Sequence, residues 1–140
     1  MKPKEILVFG ATGNIGRNII RKLTKNNYKV VAVTRNIHQK GFQLKTQANP
    51  GYLELVELES LDEEKIKDLF NSCSVCINLI GILYEKNKGQ FNKIHSVLPD
   101  ILSKIAKEKK IDQFIHVSAL GVENASNSVY AKSKLDGENN

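Results

Sequence analysis

The stretch Gly10-Ala11-Thr12-Gly13-Asn14-Ile15-Gly16-Arg17 decides the fold. It directly follows the apolar run at residues 5–9, and apolar residues then recur at helical spacing as far as position 23. In a turn between a strand and a helix, the first glycine permits tight reversal and the second permits close approach of a phosphate. The third lets the helix pack closely on the strand. Because a helix N-terminus also offers unpaired N–H groups to anions, the stretch predicts a pyrophosphate-binding turn. The alternative is a plain tight turn.

Four further apolar runs alternate with helical patterns along the chain. They predict strands at residues 30–33, 52–58, 75–80 and 114–117. Helices are predicted at 62–70 (capped by Ser60 or Asp62), from 94 to 105 with a bend at Pro99, and from Tyr130 onward. The polar residues 36–52 are predicted to form a loop with at most a short helix.

Continuous apolar strands separated by helices indicate a parallel sheet covered on both faces. Right-handed crossovers then favour a Rossmann-like, doubly wound α/β sheet of five strands in the order 3-2-1-4-5. The whole chain, residues 1–140, is predicted to be one domain. A ligand crevice is expected beyond the carboxyl ends of the strands. The residues expected to gather there are Gly10, Arg35, Gly81, Ser118 and Tyr130.

Composition narrows the class of protein. The 140 residues include 21 basic and 15 acidic side chains and are 41% hydrophobic, as in an ordinary globular domain. Lysine supplies most of the positive charge, and no basic arm or aromatic stripe concentrates it, so nucleic-acid binding is not favoured. No signal peptide fits ahead of residue 6, and the apolar stretch at 73–83 is too short to span a bilayer. We therefore expect a cytoplasmic protein with no direct membrane insertion.

Cofactor choice is expected to depend on the end of the second strand. The sequence there is Thr34-Arg35-Asn36, without the acid that grips a ribose 2′-hydroxyl in NAD-binding domains. A guanidinium matches phosphate geometry, so Arg35, with Arg17 from the first helix, favours NADPH over NADH. The alternative is two solvated surface arginines.

Three residues are candidates for catalysis. Tyr130 and Lys134 lie four residues apart and so share one helix face, where the ammonium group would lower the pKa of the phenol. Ser118 follows the fifth strand and offers a hydroxyl to a substrate oxygen. The alternatives are an exposed Tyr and Lys at a helix start and a serine that merely ends the strand.

The cysteines and the central histidine predict structure rather than chemistry. Cys73 and Cys76 enter a strand instead of opening a helix, and no histidine lies at metal-ligand spacing from them. We predict small buried side chains and no metal site. His95 lies on an apolar helix and is predicted to be a satisfied core or pocket-edge histidine.

Four stretches together carry a family resemblance. They are Val-Phe-Gly-Ala-Thr-Gly-Asn-Ile-Gly-Arg at 8–17, Ile-Asn-Leu-Ile-Gly-Ile-Leu-Tyr-Glu at 77–85, Phe-Ile-His-Val-Ser-Ala-Leu-Gly at 114–121 and Tyr-Ala-Lys-Ser-Lys-Leu-Asp-Gly-Glu at 130–138. They resemble the NAD(P)H-binding accessory subunit of respiratory complex I and its bacterial relatives, an atypical branch of the short-chain dehydrogenase/reductase superfamily. The resemblance implies bound NADPH, a structural or sensing role and little or no catalysis. It also implies a membrane-associated respiratory complex as partner and a place at the periphery of the inner membrane.

The resemblance also implies particular site residues. Those carried over for cofactor binding are Gly10, Thr12, Gly13, Asn14, Ile15, Gly16, Arg17, Arg35, Glu57, Leu58, Ile80, Gly81, Ile82, Tyr130 and Lys134. The family's usual hydroxyl after the fifth strand falls at Ala119, one residue past Ser118. Relatives about twice as long complete the sheet and add a substrate lobe, so this chain is expected to be incomplete, with an exposed fifth strand. Two alternatives stay open: an NADPH-dependent, quinone-related reductase or epimerase-like enzyme, and a remnant that binds no nucleotide.

Overall fold

A computed structural model describes residues 5–140 and contains one sheet of five parallel strands. The spatial order β3-β2-β1-β4-β5 confirms the predicted topology. The strands are β1 (Glu5–Phe9), β2 (Lys29–Thr34), β3 (Leu53–Glu57), β4 (Cys73–Asn78) and β5 (Gln113–His116). Since all five run in the same direction, their carboxyl ends lie along one edge of the sheet.

Six helices connect or follow the strands in the described part of the chain. They are α1 (Asn14–Lys25), α2 (Phe42–Gln47), α3 (Glu63–Leu69), α4 (Gln90–Asn92), α5 (Leu98–Glu108) and α6 (Val129–Asn139). Two π-helical turns, Ile37–Gly41 and Lys93–Val97, lead into α2 and α5, and a 3₁₀ turn covers Val122–Asn124. The segment 36–52, predicted as a loop with at most a short helix, contains a π-helical turn and a helix of six residues.

Local capping explains where two helices begin. Asp62, rather than Ser60, caps α3, because its carboxylate accepts hydrogen bonds from the amides of Glu64 and Lys65. The Ser128 hydroxyl accepts a hydrogen bond from the Ala131 amide, so α6 begins at Val129, one residue before the predicted start.

Strand β4 ends earlier than the apolar pattern predicts. The amide of Leu79 donates the last hydrogen bond to β1, at the carbonyl of Phe9 (2.9 Å). The amide of Ile80 then turns back to the side-chain oxygen of Asn78 (3.2 Å). Residues 79 and 80 therefore leave the sheet and continue along its carboxyl edge.

Both faces of the sheet are covered, as predicted. On one face Leu7 and Phe9 of β1 pack with Ile66 of α3 and with Leu102 and Ile105 of α5. A second cluster contains Ile6, Val8, Ile20, Ala32 and Leu44, and so covers the other face with α1 and α2. Consecutive residues of β1 are buried on alternate sides, which accounts for its uninterrupted apolar run.

The fifth strand is an edge of the sheet within residues 5–140, because it pairs only with β4. The side chain of Ile115 on this strand is 36% exposed. An exposed fifth strand was expected from the resemblance.

The helical stretch around Pro99 has a π-helical turn in place of a simple bend. Pro99 lies in the first turn of α5, and the preceding turn, Lys93–Val97, is π-helical. Proline lacks the amide hydrogen that would bond to the carbonyl of His95 in an α-helix. Gly137 of α6 lies against this carbonyl so closely that a Cβ atom on residue 137 would overlap its oxygen. The contact holds α6 against the helical segment before α5.

The glycine turn supplies a matched pair of substitutions for a stability test. A Cβ on Gly16 would overlap backbone atoms of Gly10 and Ala11, whereas a Cβ on Gly13 would have its nearest neighbour at 3.6 Å. We expect Gly16→Ala to lower the free energy of unfolding by about 1–3 kcal/mol, and Gly13→Ala to change it by less than about 0.5 kcal/mol. Urea denaturation of the two variants measures both. Equal losses would contradict the close packing of α1 on β1.

Candidate functional site

A crevice of about 320 Å³ opens at the carboxyl edge of the sheet. Its size suits part of a small-molecule ligand, and its position is where open α/β sheets bind ligands. A smaller cavity of about 100 Å³ lies at the amino ends of the strands, beside Glu5 and Lys29. The residues lining the larger crevice are Phe9, Gly10, Thr12, Gly13, Val33, Thr34, Arg35, Lys40, Leu58, Leu61, Leu79, Ile80, Gly81, Ile82 and Ile94.

Gly10 brings the glycine turn into contact with the segment that leaves β4. Its φ of +79° is a left-handed conformation that favours glycine. A Cβ at this position would lie 2.7 Å from the carbonyl carbon of Leu79, so no larger residue fits. The turn and the residues after β4 therefore form two adjoining walls of the crevice.

The N-terminus of α1 is open to an anion. Gly13 is its N-cap, with a carbonyl that accepts from the Arg17 amide (3.0 Å) and no side chain to cap the helix. The first turn also contains no acidic residue. The amides of Asn14, Ile15 and Gly16 occupy the first helical positions, where they lack carbonyl partners within the helix. Thr12 and Gly13 line the crevice beside them.

Two cationic residues line the crevice after β2. Arg35, which was predicted from the sequence, is exposed at the end of that strand. The side-chain oxygen of Asn36 accepts from the Gln39 amide (3.1 Å) and begins the π-helical turn that places Lys40 in the same wall. Sequence reasoning missed Lys40, although Asn36 is a typical capping residue. Arg17 lies in the first turn of α1 and is not among the lining residues.

The residues at the carboxyl end of β3 have two different roles. Glu57 is exposed, and its carboxylate accepts from the Ile37 amide (3.0 Å), which ties the π-helical turn to β3. Leu58 is buried and contributes to the crevice together with Leu61.

The three catalytic candidates lie next to the crevice rather than in its wall. Lys134 is 4% exposed, and its ammonium group donates to the carbonyl of Val117 (3.2 Å). The same ammonium nitrogen would lie 3.8 Å from a Cβ on Gly81. The hydroxyl of Ser118 is buried, with no hydrogen-bond partner within residues 5–140. The Tyr130 ring packs edge-on against the ring of Phe91, with centroids 5.6 Å apart.

His95 is fully buried and uses both ring nitrogens. Its Nε2 accepts from the Ile82 amide (3.1 Å), so the proton of the neutral ring is assigned to Nδ1, which donates to the Ser133 hydroxyl (2.9 Å). That hydroxyl donates to the Tyr130 carbonyl (2.7 Å). Burial, followed by the charges of Lys134 and His116, lowers the pKa of His95 from 6.5 to about 4. The ring is the satisfied, neutral histidine that its apolar helix predicts.

His116 forms a second polar contact at the end of β4. The side-chain amide of Asn78 donates to its Nδ1 (3.2 Å), which assigns the ring proton to Nε2. That nitrogen is buried without a hydrogen-bond partner in the described chain. Burial and the nearby charge of Lys134 lower the pKa of His116.

The two cysteines are free thiols. Cys76 is buried, and burial raises its pKa; burial and then Glu5 raise the pKa of Cys73 to about 11. Both thiols are therefore protonated and unreactive near neutral pH. Residues 5–140 contain no cluster of three or more His, Cys, Asp or Glu side chains that would hold a metal ion. In that range no helix is both long and apolar enough to cross a membrane.

The sheet order, the glycine turn and the position of the crevice define a Rossmann-like α/β domain. Residues 2–136 match the NmrA-like family, and the chain belongs to it. It is 30% identical over 131 residues to NADH dehydrogenase (ubiquinone) 1 alpha subcomplex subunit 9 of Mus musculus, and 32% identical over 132 residues to the subunit of the same name in Arabidopsis thaliana. These matches confirm the resemblance to the complex I subunit.

The relatives extend well beyond the part that matches. Each match covers 94% of this chain but only 35% of the mouse protein and 33% of the Arabidopsis protein. The chain therefore spans about a third of their length. The relatives were expected to be about twice as long as this chain, and they are longer than that.

Solved structures support the same fold. A Bacillus halodurans protein provisionally named an NAD-dependent epimerase/dehydratase superposes with a TM-score of 0.81 and 21% identity, over 97% of this chain and 63% of its own. The Bordetella bronchiseptica enzyme WbmG, solved with NAD and UDP, superposes with a TM-score of 0.75 and 14% identity, over 96% of this chain and 47% of its own.

The buried His95 predicts sensitivity to acid. A lowered pKa means that the unfolded chain binds a proton more readily, so stability is complete above about pH 6.5 and is lost as the pH falls toward 4. The loss should be on the order of 3 kcal/mol, and His116 adds to it in the same direction. Urea denaturation across this pH range measures it. The control variant His38→Gln, changed at an exposed histidine, should lose the same amount; a flat profile in the wild type would contradict the assignment.

Proposed function

We propose that this chain binds NADPH in the crevice, with a structural or sensing role and little or no catalysis of its own. The observation that carries the proposal is that Gly13, the open N-cap of α1, lines the same crevice as Arg35 and Lys40. The crevice therefore offers backbone N–H donors to a pyrophosphate at the start of α1. It offers two cationic side chains to a further phosphate beyond β2. The names of the relatives and the WbmG complex with NAD support a nicotinamide dinucleotide as the ligand class.

The pyrophosphate would lie against the turn from Gly10 to Gly16. The amides of Asn14, Ile15 and Gly16 provide hydrogen-bond donors, and the helix dipole adds a positive potential. The exposed backbone at Gly13 lets the phosphates approach without a side chain in the way. Thr12 borders this site, and Arg17 adds positive charge to the first turn of the helix.

The adenosine half would lie beyond the carboxyl ends of β2 and β3. Arg35 and Lys40 would pair with the 2′-phosphate of NADPH, and none of the residues lining the crevice is acidic. Leu58 gives an apolar surface for adenine, and Glu57 holds the π-helical turn beside it. These charges favour NADPH over NADH.

The nicotinamide half would lie along the residues that leave β4. Ile80, Gly81 and Ile82 line the crevice there. Tyr130 and Lys134 would contact the nicotinamide ribose from α6, since the Lys134 ammonium group lies just behind Gly81.

Weak or absent turnover follows from the hydroxyl after β5. The Ser118 oxygen is covered and has no partner among residues 5–140, and the next position is Ala119. Neither position presents a hydroxyl to a substrate. An NADPH-dependent, quinone-related reductase or epimerase-like enzyme is the second candidate, favoured by the Tyr130–Lys134 spacing. NADPH oxidation with benzoquinone that is lost in Tyr130→Phe would select this candidate.

We propose a membrane-associated respiratory complex as the partner and a place in the cytoplasm or at the periphery of the inner membrane. The mouse and Arabidopsis relatives carry the names of NADH dehydrogenase subunits. Leu83, Tyr84 and Leu120 are exposed on the loops after β4 and β5 and offer apolar surface for such a contact. Nucleic acid is not proposed as a partner.

Calorimetric titration with NADPH tests the binding site. We expect saturable binding by the wild type and binding at least about tenfold weaker in Gly13→Ala, because the added methyl group occupies the approach to the pyrophosphate. The unfolding free energy of Gly13→Ala serves as the control, since this substitution is expected to leave the fold intact. If millimolar NADPH does not bind to the wild type, the remnant without nucleotide is the correct description.

The ratio of NADH to NADPH dissociation constants tests cofactor selectivity. We expect Arg35→Ala to weaken NADPH binding by about tenfold and to leave NADH binding within about twofold, because only NADPH carries the 2′-phosphate. Arg21→Ala, at an exposed arginine of α1 outside the crevice, should change neither constant. Equal constants for the two cofactors in the wild type would refute the preference for NADPH.

A further inference from the structure

A chain of hydrogen bonds joins the crevice wall to the interior of α6. The Ile82 amide donates to Nε2 of His95, Nδ1 of His95 donates to the Ser133 hydroxyl, and that hydroxyl donates to the Tyr130 carbonyl. Within this series of hydrogen bonds, His95 links the crevice wall to α6, because one ring nitrogen faces Ile82 and the other faces Ser133.

The backbone after β4 depends on side chains to satisfy its amides. It has left the sheet after Leu79, so the Ile80 amide bonds to Asn78 and the Ile82 amide bonds to His95. Gly81 lies between these two attachments, and residues 80–82 all line the crevice. The positions of these backbone atoms therefore depend on the two side chains.

His95 itself is held firmly. Its ring is fully buried and stacks on Phe91 with centroids 5.5 Å apart and an interplanar angle of 14°. The Tyr130 ring meets it edge-on at 5.2 Å. Its carbonyl lies against Gly137 of α6, as described above. A ring packed against two neighbouring rings and anchored at its backbone can fix the amide from which it accepts a hydrogen bond.

We propose that His95 is a positioning residue for the dinucleotide site, which holds the backbone at Gly81 and Ile82 at a set distance from α6. The proposal rests on the proposed binding of NADPH. It places His95 behind the crevice wall: the imidazole acts through the Ile82 amide, while the cofactor touches residues 80–82. Loss of the Nε2 acceptor would leave a partly buried amide unpaired and free this stretch of wall.

Replacing His95 by Gln or by Asn, whose side-chain amides lie at different distances from the backbone, separates the roles of the two ring nitrogens. In His95→Gln the side-chain oxygen reaches near the position of Nε2 and can accept from the Ile82 amide. In His95→Asn the shorter side chain reaches only the position of Nδ1 and can bond to Ser133 alone. His95→Phe retains the ring and its stacking on Phe91 but provides neither contact.

The experiment measures, for each of the three variants, the dissociation constant for NADPH and the thermal unfolding midpoint. We expect binding within about threefold of the wild type in His95→Gln, and about tenfold weaker in His95→Asn and His95→Phe. If His95 only stabilised the fold, the affinity for NADPH would instead fall in step with the thermal stability in all three variants. Equal affinity in the Gln and Asn variants, at whatever level, overturns the proposal.

Hydrogen exchange of the Ile82 amide gives a readout that needs no cofactor. The amide should exchange slowly in the wild type and in His95→Gln, and much faster in His95→Asn and His95→Phe. Fast exchange in the wild type overturns the positioning role. If the wild type binds no NADPH, the proposed function fails, while slow exchange with this variant pattern would still support the link between His95 and residue 82.

Discussion

The structure depends on the close approach of three backbone segments at the carboxyl edge of the sheet. Gly10 lies against the carbonyl of Leu79, and Gly16 lies against the carbonyl of Gly10, so the turn after β1, the start of α1 and the exit from β4 meet without intervening side chains. Any Cβ at these two glycines would push the segments apart. Two of these segments, the turn after β1 and the exit from β4, also line the crevice, so this contact places two of its walls side by side.

A second close backbone contact at a glycine joins α6 to the rest of the structure. Pro99 leaves the carbonyl of His95 without its α-helical partner, and Gly137 lets α6 lie directly on that carbonyl. The helix that carries Tyr130 and Lys134 is thus placed by a glycine contact, as α1 is. A helix irregularity that would cost stability in isolation becomes the docking point for a second helix. The buried hydrogen bonds of the His95 ring then extend this contact to the crevice.

Features that follow from repeating patterns or from general rules of chain connection could be predicted from the sequence, and those that depend on individual side-chain hydrogen bonds could not. The strands, their order, the glycine turn and the crevice edge follow from apolar runs, glycine spacing and the handedness of crossovers. The early end of β4 depends on the Asn78 side chain, which competes with the sheet for the Ile80 amide. Lys40 reaches the crevice through a capped turn inside a polar segment. The bonds from residue 95 to residues 82 and 133 have no signature in a one-dimensional pattern, because neither spacing repeats a helix or strand period.

The strand order has a consequence for how the chain folds. Every neighbouring pair in this sheet is parallel, so each pairing requires a crossover, and no hairpin is available to start the sheet locally. The central strand β1 (Glu5–Phe9) pairs on one side with β4 (Cys73–Asn78), far along the chain. A sheet built from such distant contacts folds slowly, because loop closure precedes any gain from pairing. During synthesis β1 leaves the ribosome well before β4, and one of its two edges stays unpaired until β4 has followed. In that period the edge is open to wrong partners.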